Sequence, residues 1–527
     1  SFFSIKIFHM RSSKINLLDC TLRDGGYYNN WKFDEKLVNK YLNVISEYVE
    51  YVEIGFRFFN KDSSLGETAY SKSSFLKKIT KPKNLKLGVM INASDLIFYS
   101  KNNTITAVKK IFPIKEPKIS FVRIACQSFE VEKILPAISF LNKNYDVMVN
   151  IMQISELNET ILKNMCNLLQ SKIKCLYIAD SLGSLAPNDI INKSKILKKY
   201  WKGELGIHAH DNMKNALNNT LTAVKSGFSW ADGTILGMGR GAGNAKIEDL
   251  IRKLKKEKPN KIYNLIESDF VKLKKKYKWG SNKYYNLAGK YKIHPTYIQT
   301  ILNDKRYKKF DYIKIINNLK KINASKYNPN ELMYSLFDKV SKKKIQTLKK
   351  INNINQKKAL ILGSNPINLK NKKFLENKIK NENYFVLALN TTKHLSERFI
   401  NYRVSSHPLR LISEIENFKK TKSKIILPTG ILPSNILKQV NMKSIYFYDM
   451  IIKPNLLTIN KNYCILPNAM SITFAIAVLI RWRFKYIELA GFDLRNNSAD
   501  NTKGILKRIN IIKKKIILKN PKDLNII

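Results

Sequence analysis

Two histidines stand one residue apart in the stretch GIHAHDN, which runs from Gly206 to Asn212 at the end of an apolar segment. Successive side chains of a β-strand point to opposite faces, so His208 and His210 share one face while Ala209 points away. Two imidazoles on one face can chelate a single cation, and the chain contains only six histidines in all. The alternative is an inert pair of hydrogen-bonded polar side chains, and we favour the metal site.

An arginine and an aspartate follow another short apolar segment, in the stretch LLDCTLRDGGYYNN. Arg23 and Asp24 directly precede two glycines, which leave space for the backbone beside a ligand. A third stretch, GMGRGAGNA, contains four glycines and Asn244. One carboxylate, two imidazoles and an amide oxygen form a ligand set that suits Mn²⁺ or Mg²⁺, with Zn²⁺ or Co²⁺ as substitutes.

Eight short apolar or β-branched runs alternate with amphipathic segments between residues 15 and 255. The runs are KINLLD, YVEIGF, LKLGVMI, SFVRIA, DVMVNIM, KCLYIAD, ELGIHAH and DGTILG. Near-continuous apolar strands that alternate with helices indicate a parallel sheet. Eight such units predict an α/β fold, a (β/α)8 TIM barrel, with an open doubly wound sheet as the alternative. Functional residues of such a barrel lie at the carboxyl ends of its strands, so the three polar stretches are expected to converge there.

The remainder of the chain has a different pattern. Residues 256–340 are rich in lysine and helical in pattern, and we predict a helical extension there, followed by a polar linker over 341–357. At Lys358 a second α/β pattern begins with KALILGSNP and continues through YFVLALN, KIILP, SIYFYD and YIELAGFDL. We therefore predict a separate Rossmann-like α/β domain over 358–527, which is within the usual size of a domain.

The motifs DCTLRDGG, VEIGFR, VRIA, DSLG, HAHDN and GMGRGAGNA, in this order, resemble the signature of the DRE-TIM metallolyases. This is the superfamily of the HMG-CoA lyase-like or pyruvate carboxyltransferase domain, and the resemblance is closest to proteins like 4-hydroxy-2-oxovalerate aldolase. It implies a cytoplasmic lyase that joins or cleaves a 2-oxo acid and an aldehyde through a pyruvate-type enolate, with a divalent metal, Mn²⁺ first, as cofactor. An acyl-CoA-dependent Claisen synthase or lyase of the same superfamily, and a barrel without activity, are the alternatives.

The resemblance also implies roles for individual residues. Asp24, His208 and His210 would be metal ligands. Asn244 would be a further ligand in the lyase branch and a loop residue in the aldolase branch. Arg23 would stabilise the enolate oxygen of a bound 2-oxo acid.

Further roles concern the substrate and the proton. Ser181 would contact pyruvate, and Glu53 would be a partner behind the ligands. The aldolases carry a histidine base three residues after the ligand aspartate, where this chain has Tyr27. A phenol with a pKa near 10 is a poor base unless that pKa is shifted, so Tyr27, Tyr28 and a metal-bound hydroxide are the candidates. Arg123 would meet a substrate carboxylate or form a structural ion pair.

Other polar residues near these motifs have ordinary explanations. Asp180, at the end of the sixth run, is expected to organise its loop rather than to act in catalysis. His294 is expected to make a contact of the helical extension rather than to bind a metal. Cys20 and Cys126 are expected to pack as small apolar side chains.

The second α/β pattern carries a weaker signal. Gly363 lies in a turn between an apolar run and a predicted helix, where backbone amides could hold a phosphate. The stretches ALILGSNP, LALN and YIELAGFDL resemble the α/β domains of sialyltransferase-like bacterial proteins. The resemblance implies a nucleotide or nucleotide-sugar ligand facing Gly363, Ser364, Asn390 and Asp493. A partner domain without a ligand is the alternative.

The formal net charge of +54 would by itself suggest polyanion partners. The excess is mostly lysine, scattered among asparagine and isoleucine, and all three have A/T-rich codons, so we favour genomic composition over nucleic-acid binding. No CxxC pair occurs among the five cysteines, which indicates reduced thiols and a cytoplasmic protein. The longest apolar run, residues 469–480, is shorter than the ~20 residues of a membrane span. A homo-oligomer is left open.

Overall fold

The computed structural model describes residues 15–59, 62–100, 103–336, 356, 358–364, 369–428, 445–452, 458–466, 470–484, 486–492 and 517–519. These residues form two compact units. The first, called the barrel unit below, comprises the described residues up to 303 together with 320–327. The second unit comprises 304–319 and the described residues from 328 onwards. Residues 256–340 are thus shared between the two units, and the domain limits drawn from the sequence stay a prediction.

Eight parallel strands close into a barrel, as the alternating pattern predicts. The strands are β1 Asn16–Asp19, β2 Tyr51–Phe56, β3 Lys86–Asn92, β4 Ile119–Cys126, β5 Asp146–Ile151, β6 Cys175–Asp180, β7 Glu204–Ala209 and β8 Trp230–Gly233. Each strand pairs with the next, and β8 pairs with β1, which confirms the TIM barrel and excludes the open doubly wound sheet for this part of the chain. The carboxyl ends of all eight strands therefore meet at one end of the barrel.

Fifteen α-helices among the described residues of the barrel unit surround or extend the barrel. They are α1 Thr21–Asp24, α2 Gly26–Asn29, α3 Glu35–Ile45, α4 Ser73–Lys78, α5 Ala93–Ser100, α6 Thr104–Ile111, α7 Val131–Leu141, α8 Glu159–Leu169, α9 Pro187–Tyr200, α10 Ala216–Lys225, α11 Ile247–Leu250, α12 Asn260–Leu265, α13 Val271–Tyr277, α14 Lys283–Lys290 and α15 Pro295–Asn303. Helix α3 shows how the sequence specifies them. The Asp34 carboxylate accepts hydrogen bonds from the backbone N–H groups of Lys36 and Leu37, which satisfies free donors at the helix start. Val38, Leu42 and Ile45 then recur at helical spacing and are buried.

The first halves of the strands fill the barrel interior with large apolar side chains. Trp230 and Tyr51 pack edge to face with ring centroids 4.4 Å apart. Gly206 leaves room for an aromatic neighbour, since a Cβ there would lie 2.5 Å from the ring of Tyr177. Because this part of the interior is packed, the polar side chains of the barrel gather nearer its carboxyl end.

The second unit is an α/β unit built on a seven-stranded sheet. Its strands are β9 Lys358–Leu362, β10 Phe385–Leu389, β11 Tyr402–Val404, β12 Lys424–Leu427, β13 Ile445–Phe447, β14 Asp449–Ile452, β15 Thr458–Ile459, β16 Tyr463–Leu466, β17 Tyr486–Ala490 and β18 Ile517–Lys519. The large sheet has the order β13-β12-β11-β10-β9-β17-β18 with parallel pairs throughout, and β14, β16 and β15 form a small separate sheet. The order reverses beside β9, as it does in Rossmann-like folds, in agreement with the predicted fold class.

Six further helices are α16 Tyr312–Lys321, α17 Pro329–Ser335, α18 Leu369–Asn381, α19 Pro408–Ser413, α20 Ile415–Lys420 and α21 Ser471–Arg481. Helix α21 is apolar on nearly all sides and lies buried in the core of the second unit. Among the described residues, no helix combines the length and the apolar character that crossing a membrane requires.

Candidate active site

The three polar stretches converge at the carboxyl end of the barrel. Asp24 lies in α1 directly after β1, His208 lies on β7, and His210 follows that strand. One ligand atom from each of these three side chains lies within 4.8 Å of the other two. Asn244, in the loop after β8, forms a backbone bridge with His210, and its amide nitrogen donates to the Asp24 carboxylate. All four side chains are buried. We call these four residues the ligand cluster.

The ligand cluster contains polar atoms that folding leaves without a partner. His208 Nε2, His210 Nδ1 and Asn244 Oδ1 are buried and accept or donate no hydrogen bond among the described residues. A buried polar atom is costly when it is unpaired, so such atoms usually mark a place where something binds. Imidazole nitrogen, amide oxygen and carboxylate are the donors that a divalent cation accepts in proteins. The residues present therefore fit a divalent cation.

Asp232 on β8 orients the first of the two histidines. His208 Nδ1 lies 2.9 Å from Asp232 Oδ2. Burial alone would raise the pKa of Asp232, but Arg123 and then His208 hold that pKa below its usual range, so the carboxylate accepts the hydrogen bond. The proton therefore sits on Nδ1 and leaves the Nε2 lone pair free for a cation. Sequence reasoning missed Asp232, and its only signal was a carboxylate inside the last apolar run, DGTILG.

Arg23 is buried against two carboxylates. Its Nε donates to Glu53 Oε2 at 2.7 Å, and one terminal nitrogen donates to Asp24. Burial would raise the pKa of Asp24, but Arg23 and then the two histidines hold that pKa well below its usual range. The other terminal nitrogen of Arg23, NH2, is buried and has no partner among the described residues. Arg23 is thus a fixed cation beside the ligand cluster with donor capacity to spare.

A second buried arginine connects the residues behind the ligand cluster. Arg123 donates to both Glu53 oxygens, from Nε at 2.9 Å and from NH2 at 2.6 Å, and its NH1 donates to Asp232 at 2.6 Å. These contacts are those of the structural ion pair weighed as the alternative for Arg123, and its contact with a substrate stays a prediction. Glu53 in turn accepts from Arg23, and Asp232 contacts His208. Arg123 therefore helps to fix the positions of Arg23 and His208 through these two carboxylates.

The glycine-rich loop after β8 approaches the ligand cluster closely. A Cβ on Gly239 would lie 2.2 Å from the Asn244 amide nitrogen and 2.3 Å from an Asp24 carboxylate oxygen. Gly243 has a φ of 86°, in the region that side chains rarely adopt, and its carbonyl accepts from the Asp211 N–H at 2.8 Å. Both positions require glycine for the loop to present Asn244.

The two tyrosines after Asp24 border the cluster. Tyr27 is half-buried and packs edge-on against Trp31, with ring centroids 4.9 Å apart. Burial raises the pKa of Tyr27 above its ordinary value near 10, and burial raises the pKa of Tyr28 to about 12. The Tyr28 hydroxyl donates to the Gly241 carbonyl at 2.6 Å. At neutral pH both phenols therefore keep their protons and are better suited to donate a proton than to remove one.

The loop after β6 supplies two more of the predicted residues. Asp180 accepts a backbone hydrogen bond from Ser184 at 3.0 Å and so organises the turn, as expected from the sequence, while burial raises its pKa to about 6. Ser181 is buried, and its hydroxyl accepts from the Gln153 N–H at 3.1 Å. The Ser181 carbonyl accepts from Arg240 NH2 at 3.3 Å.

The helices α14 and α15 lie against the glycine-rich loop. His294 Nε2 accepts from Arg240 NH1 at 3.0 Å. Gln299 accepts from the Gly241 N–H and donates to the Tyr27 carbonyl, both at 3.0 Å. Sequence reasoning gave no role to Arg240 or Gln299 and expected His294 only as a contact of the extension, because no local pattern joins α15 to the loop.

The cysteines follow the sequence prediction. All five are free and buried, and the Cys20 Sγ lies 3.6 Å from the Gly233 carbonyl oxygen. Burial raises the pKa of the Cys126 thiol. Cys20 and Cys126 therefore pack as small, uncharged side chains.

In the second unit, Gly363 follows β9 at the point where the strand order reverses. Its N–H donates to the Ala490 carbonyl at 2.7 Å, and a Cβ there would lie 2.3 Å from the Gly491 carbonyl oxygen. The adjacent Ser364 is exposed, and its carbonyl lies 2.9 Å from His394 Nε2. The glycine thus permits close packing of two strand ends.

Asn390 follows β10 and is buried. Its side-chain oxygen accepts from the Ser405 hydroxyl at 2.8 Å, and its carbonyl accepts from Arg403 at 2.9 Å. Asp493 lies outside the described residues. The roles of Gly363, Ser364, Asn390 and Asp493 toward a nucleotide or nucleotide sugar stay predictions.

Comparisons with known proteins match the part of the chain that forms the barrel. The model of the HMGL-like family matches residues 14–275. Oxaloacetate decarboxylase of Mycobacterium tuberculosis is 24% identical over 247 residues, which are 46% of this chain and 70% of that protein. The 4-hydroxy-2-oxovalerate aldolase of Carboxydothermus hydrogenoformans is 28% identical over 255 residues, which are 46% of this chain and 72% of that protein.

A solved structure gives a further match. The N-terminal domain of a proposed aldolase from Bacteroides vulgatus is 30% identical, and the match covers 55% of this chain and 96% of that domain, with a TM-score of 0.48. The fold and the site define a TIM-barrel protein with a buried cluster of side chains that fit a divalent cation. Through its barrel the chain belongs to the HMGL-like family, which confirms the family resemblance seen in the sequence. The resemblance of the second unit to sialyltransferase-like domains stays a prediction.

Proposed function

We propose that this chain is a divalent-metal-dependent aldolase that joins or cleaves a pyruvate-type 2-oxo acid and an aldehyde. One observation carries the proposal. Ligand atoms of Asp24, His208 and His210 lie within 4.8 Å of one another, and unpartnered buried atoms lie in the same cluster. The names of the relatives, an aldolase and a decarboxylase of 2-oxo acids, support the same class of chemistry.

Asp24, His208 and His210 would hold the cation, with Asn244 as a fourth ligand, and Mn²⁺ is our first choice over Mg²⁺, Co²⁺ and Zn²⁺. The cation, when bound, would act as a Lewis acid toward the 2-oxo acid and spread the negative charge of its enolate.

Arg23 is proposed to stabilise the enolate oxygen. Glu53 and Asp24 fix the guanidinium in place, and the free NH2 group supplies the donor. A donor that is already oriented and needs no rearrangement during the reaction is worth roughly 3 kcal/mol in comparable sites. Ser181, which is buried directly after β6, is the proposed contact for the remainder of the 2-oxo acid.

Tyr27 is proposed to carry the proton. In the direction of bond formation, the methyl group of the 2-oxo acid loses a proton to solvent as the enolate forms. The enolate carbon then attacks the aldehyde carbon, the aldehyde oxygen takes the proton of the Tyr27 hydroxyl, and solvent returns a proton to Tyr27. In cleavage, Tyr27 first gives its proton to solvent, and the phenolate then takes the proton of the aldol hydroxyl, so the raised pKa favours the direction of bond formation. Burial raises the pKa of Tyr27 and so keeps the phenol protonated at rest, while the nearby charge of Arg240 acts in the opposite direction and favours the phenolate when it forms. This assignment replaces the histidine base of the related aldolases by an acid.

Exchange of the pyruvate methyl protons tests the proposal. The purified full chain is incubated with pyruvate in heavy water, and loss of the methyl signal is followed by NMR while the bound metal is measured by elemental analysis. We expect exchange that disappears on chelation and returns with Mn²⁺. Exchange that persists without metal, or none in the metal-loaded protein, would contradict the proposal.

A second candidate is the Claisen reaction with an acyl-CoA. A cavity of about 500 Å³ adjoins the loop of Asn244 and is lined by Lys214, Lys246, Lys274 and Lys278. Burial and the charge of Lys246 lower the pKa of Lys274, as expected for ammonium groups that lack enough counter-charge. Such a cavity suits the phosphates of a CoA thioester. Release of free thiol from acetyl-CoA that depends on an added 2-oxo acid would favour this candidate.

A further inference from the structure

Arg240 is a half-buried cation at the candidate active site with no ion pair to any carboxylate of the described residues. Its two terminal nitrogens donate to His294 Nε2 at 3.0 Å and to the Ser181 carbonyl at 3.3 Å. A backbone carbonyl carries no charge. His294 is neutral as well, because burial and then the charge of Arg240 hold its pKa well below its usual range. By contrast, Arg23 and Arg123 are each bonded to carboxylates. The charge of Arg240 is therefore not compensated locally.

The position of Arg240 limits what that charge can meet. The preceding residue, Gly239, approaches the Asp24 carboxylate, and the Arg240 guanidinium carbon lies 5.9 Å from the centre of the Tyr27 ring. The ligand cluster is almost completely buried, whereas Arg240 and Tyr27 are half-buried. Arg240 is thus more exposed to solvent than the cluster and lies near the ring of the proposed proton donor.

The chemistry of the reaction divides the substrates between these two zones. The 2-oxo acid is assigned to the ligand cluster and Arg23, deep in the site. The aldehyde carbonyl must meet the enolate there and Tyr27 at its oxygen, so the remainder of the aldehyde extends outward past Tyr27. Arg240 lies on that outward path. Its planar guanidinium has further N–H groups, and it pairs well with carboxylate or phosphate oxygens.

We propose that Arg240 is a specificity-determining residue that binds an anionic group, a carboxylate or a phosphate, on the far end of the aldehyde. The inference rests on the proposed aldolase function and names the class of its second substrate. Arg240 takes no proton and forms no bond in the reaction. His294 and the Ser181 carbonyl are positioning groups, since each holds one terminal nitrogen of the guanidinium.

Two pairs of aldehydes that differ mainly in charge test the proposal. One pair is succinic semialdehyde and butyraldehyde, and the other is glyceraldehyde 3-phosphate and glyceraldehyde. Addition of each aldehyde to pyruvate is measured with the metal-loaded full chain. We expect kcat/KM to be at least about 10-fold higher for the charged member of one pair, the size of one charge-assisted hydrogen bond. The pair that shows the preference identifies carboxylate or phosphate as the bound group.

Variants then assign the preference to Arg240. R240Q should reduce kcat/KM for the charged aldehyde about 10- to 100-fold more than for its neutral partner. R240K should retain part of the preference, and H294Q, which keeps the charge but loosens its position, should fall between wild type and R240Q. Calorimetric binding of succinate and of glycerol 3-phosphate gives a readout without turnover. The tighter of the two ligands should bind about 10-fold more weakly to R240Q.

The outcomes separate this inference from the proposed function. Pyruvate exchange in the wild type, together with equal rates for charged and neutral aldehydes, would overturn the role of Arg240 alone. Absence of exchange would overturn the proposed function and with it this inference. If R240Q slowed pyruvate exchange as much as it slowed addition, Arg240 would bind the 2-oxo acid instead, and the proposal would be wrong. Thermal unfolding of each variant verifies that it is folded.

Discussion

Both units of the molecule place polar residues at the carboxyl ends of parallel strands, but they treat these residues differently. In the barrel unit, His208 and His210 keep buried nitrogen atoms without a partner among the described residues. In the second unit, the side-chain oxygen of Asn390 accepts a hydrogen bond from Ser405, and its carbonyl accepts one from Arg403. The location at a strand end is common to both units. Buried atoms without a partner occur in the second unit as well, but at the candidate site three of them belong to one cluster together with a carboxylate.

Two buried arginines show the same difference. Arg123 holds the carboxylates of Glu53 and Asp232, and these carboxylates hold groups of the candidate site. Arg403 holds the carbonyls of Asn390 and Thr392, at 2.9 and 3.1 Å, and thereby fixes the turn after β10. A buried arginine is therefore no sign of function by itself, and its partners decide whether it supports a reactive group or a turn.

The largest expected effect comes from removing an unpaired ligand atom. Loss of a group that hydrogen-bonds to a metal ligand typically costs 10- to 100-fold in activity. H208A removes the ligand itself, so it should reduce pyruvate exchange by far more than that. The measurement is the NMR exchange assay in heavy water. The matched control is H407A in the second unit, which should change exchange less than threefold. Similar losses in both variants would remove the distinction between the units.

Removing the arginine of the second unit should affect stability instead of exchange. R403M leaves two turn carbonyls without donors and Glu397 without its ion-pair partner. We expect the free energy of unfolding of the second unit to fall by about 3 kcal/mol. Denaturant titration measures this fall, and pyruvate exchange in the folded variant should stay at the wild-type rate. A loss of exchange without a loss of stability would contradict the assignment.

Two buried glutamates, one in each unit, have pKa values shifted in opposite directions, so they should affect the pH dependence of the free energy of unfolding oppositely. Burial raises the pKa of Glu248 in the barrel unit to about 7 from an ordinary value of 4.5. In the second unit, burial would also raise the pKa of Glu488, but hydrogen bonds from Tyr486 and then Lys378 hold that pKa below its usual range. Below pH 4.5, Glu248 is protonated in both the folded and unfolded states. Between pH 4.5 and 7 only the unfolded state releases the proton, so the free energy of unfolding falls as pH rises.

Comparison with E248Q measures the size of this effect. Relative to E248Q, the wild type should lose up to about 3 kcal/mol of unfolding free energy between pH 4.5 and 7, after which the difference stays constant. Denaturant titrations across this range provide the data. A difference that grows as pH falls would show that Glu248 is ionised in the folded protein.

The smallest of the effects concerns a group behind a ligand. D232N keeps the size of the side chain but weakens the hydrogen bond that holds His208 Nδ1. We expect the affinity for Mn²⁺ to fall about 10- to 100-fold while the number of bound ions stays the same. Calorimetric titration of Mn²⁺ into the metal-stripped variant tests this. An unchanged affinity would show that Asp232 does not orient the histidine.

Much of the barrel could be predicted because its signals are local. Eight apolar runs have the length and the spacing of β-strands that alternate with helices, and they predict the closed barrel. Because successive side chains of a strand point to opposite faces, the sequence also predicts that His208 and His210 share a face. The convergence of Asp24 with them follows from the parallel strands. The same reasoning predicts the parallel sheet of the second unit from its apolar runs.

The missed parts of the site depend on contacts between distant segments. Arg240 lies within a quoted motif, but its partner His294 directly precedes α15, and nothing in either local sequence specifies that they meet. Asp232 is a single carboxylate in a short strand, and only its contact with the His208 nitrogen indicates a role in the site. Pairings of this kind come from tertiary packing, which residue spacing does not encode.

Titration of Mn²⁺ into the metal-stripped full chain tests the central claim most directly. The account predicts a single tight site per chain in the wild type and in R403M, and loss of that site in D24N and in H210A, with all four proteins folded. A site of wild-type affinity in D24N and H210A would contradict the assignment of these residues as metal ligands.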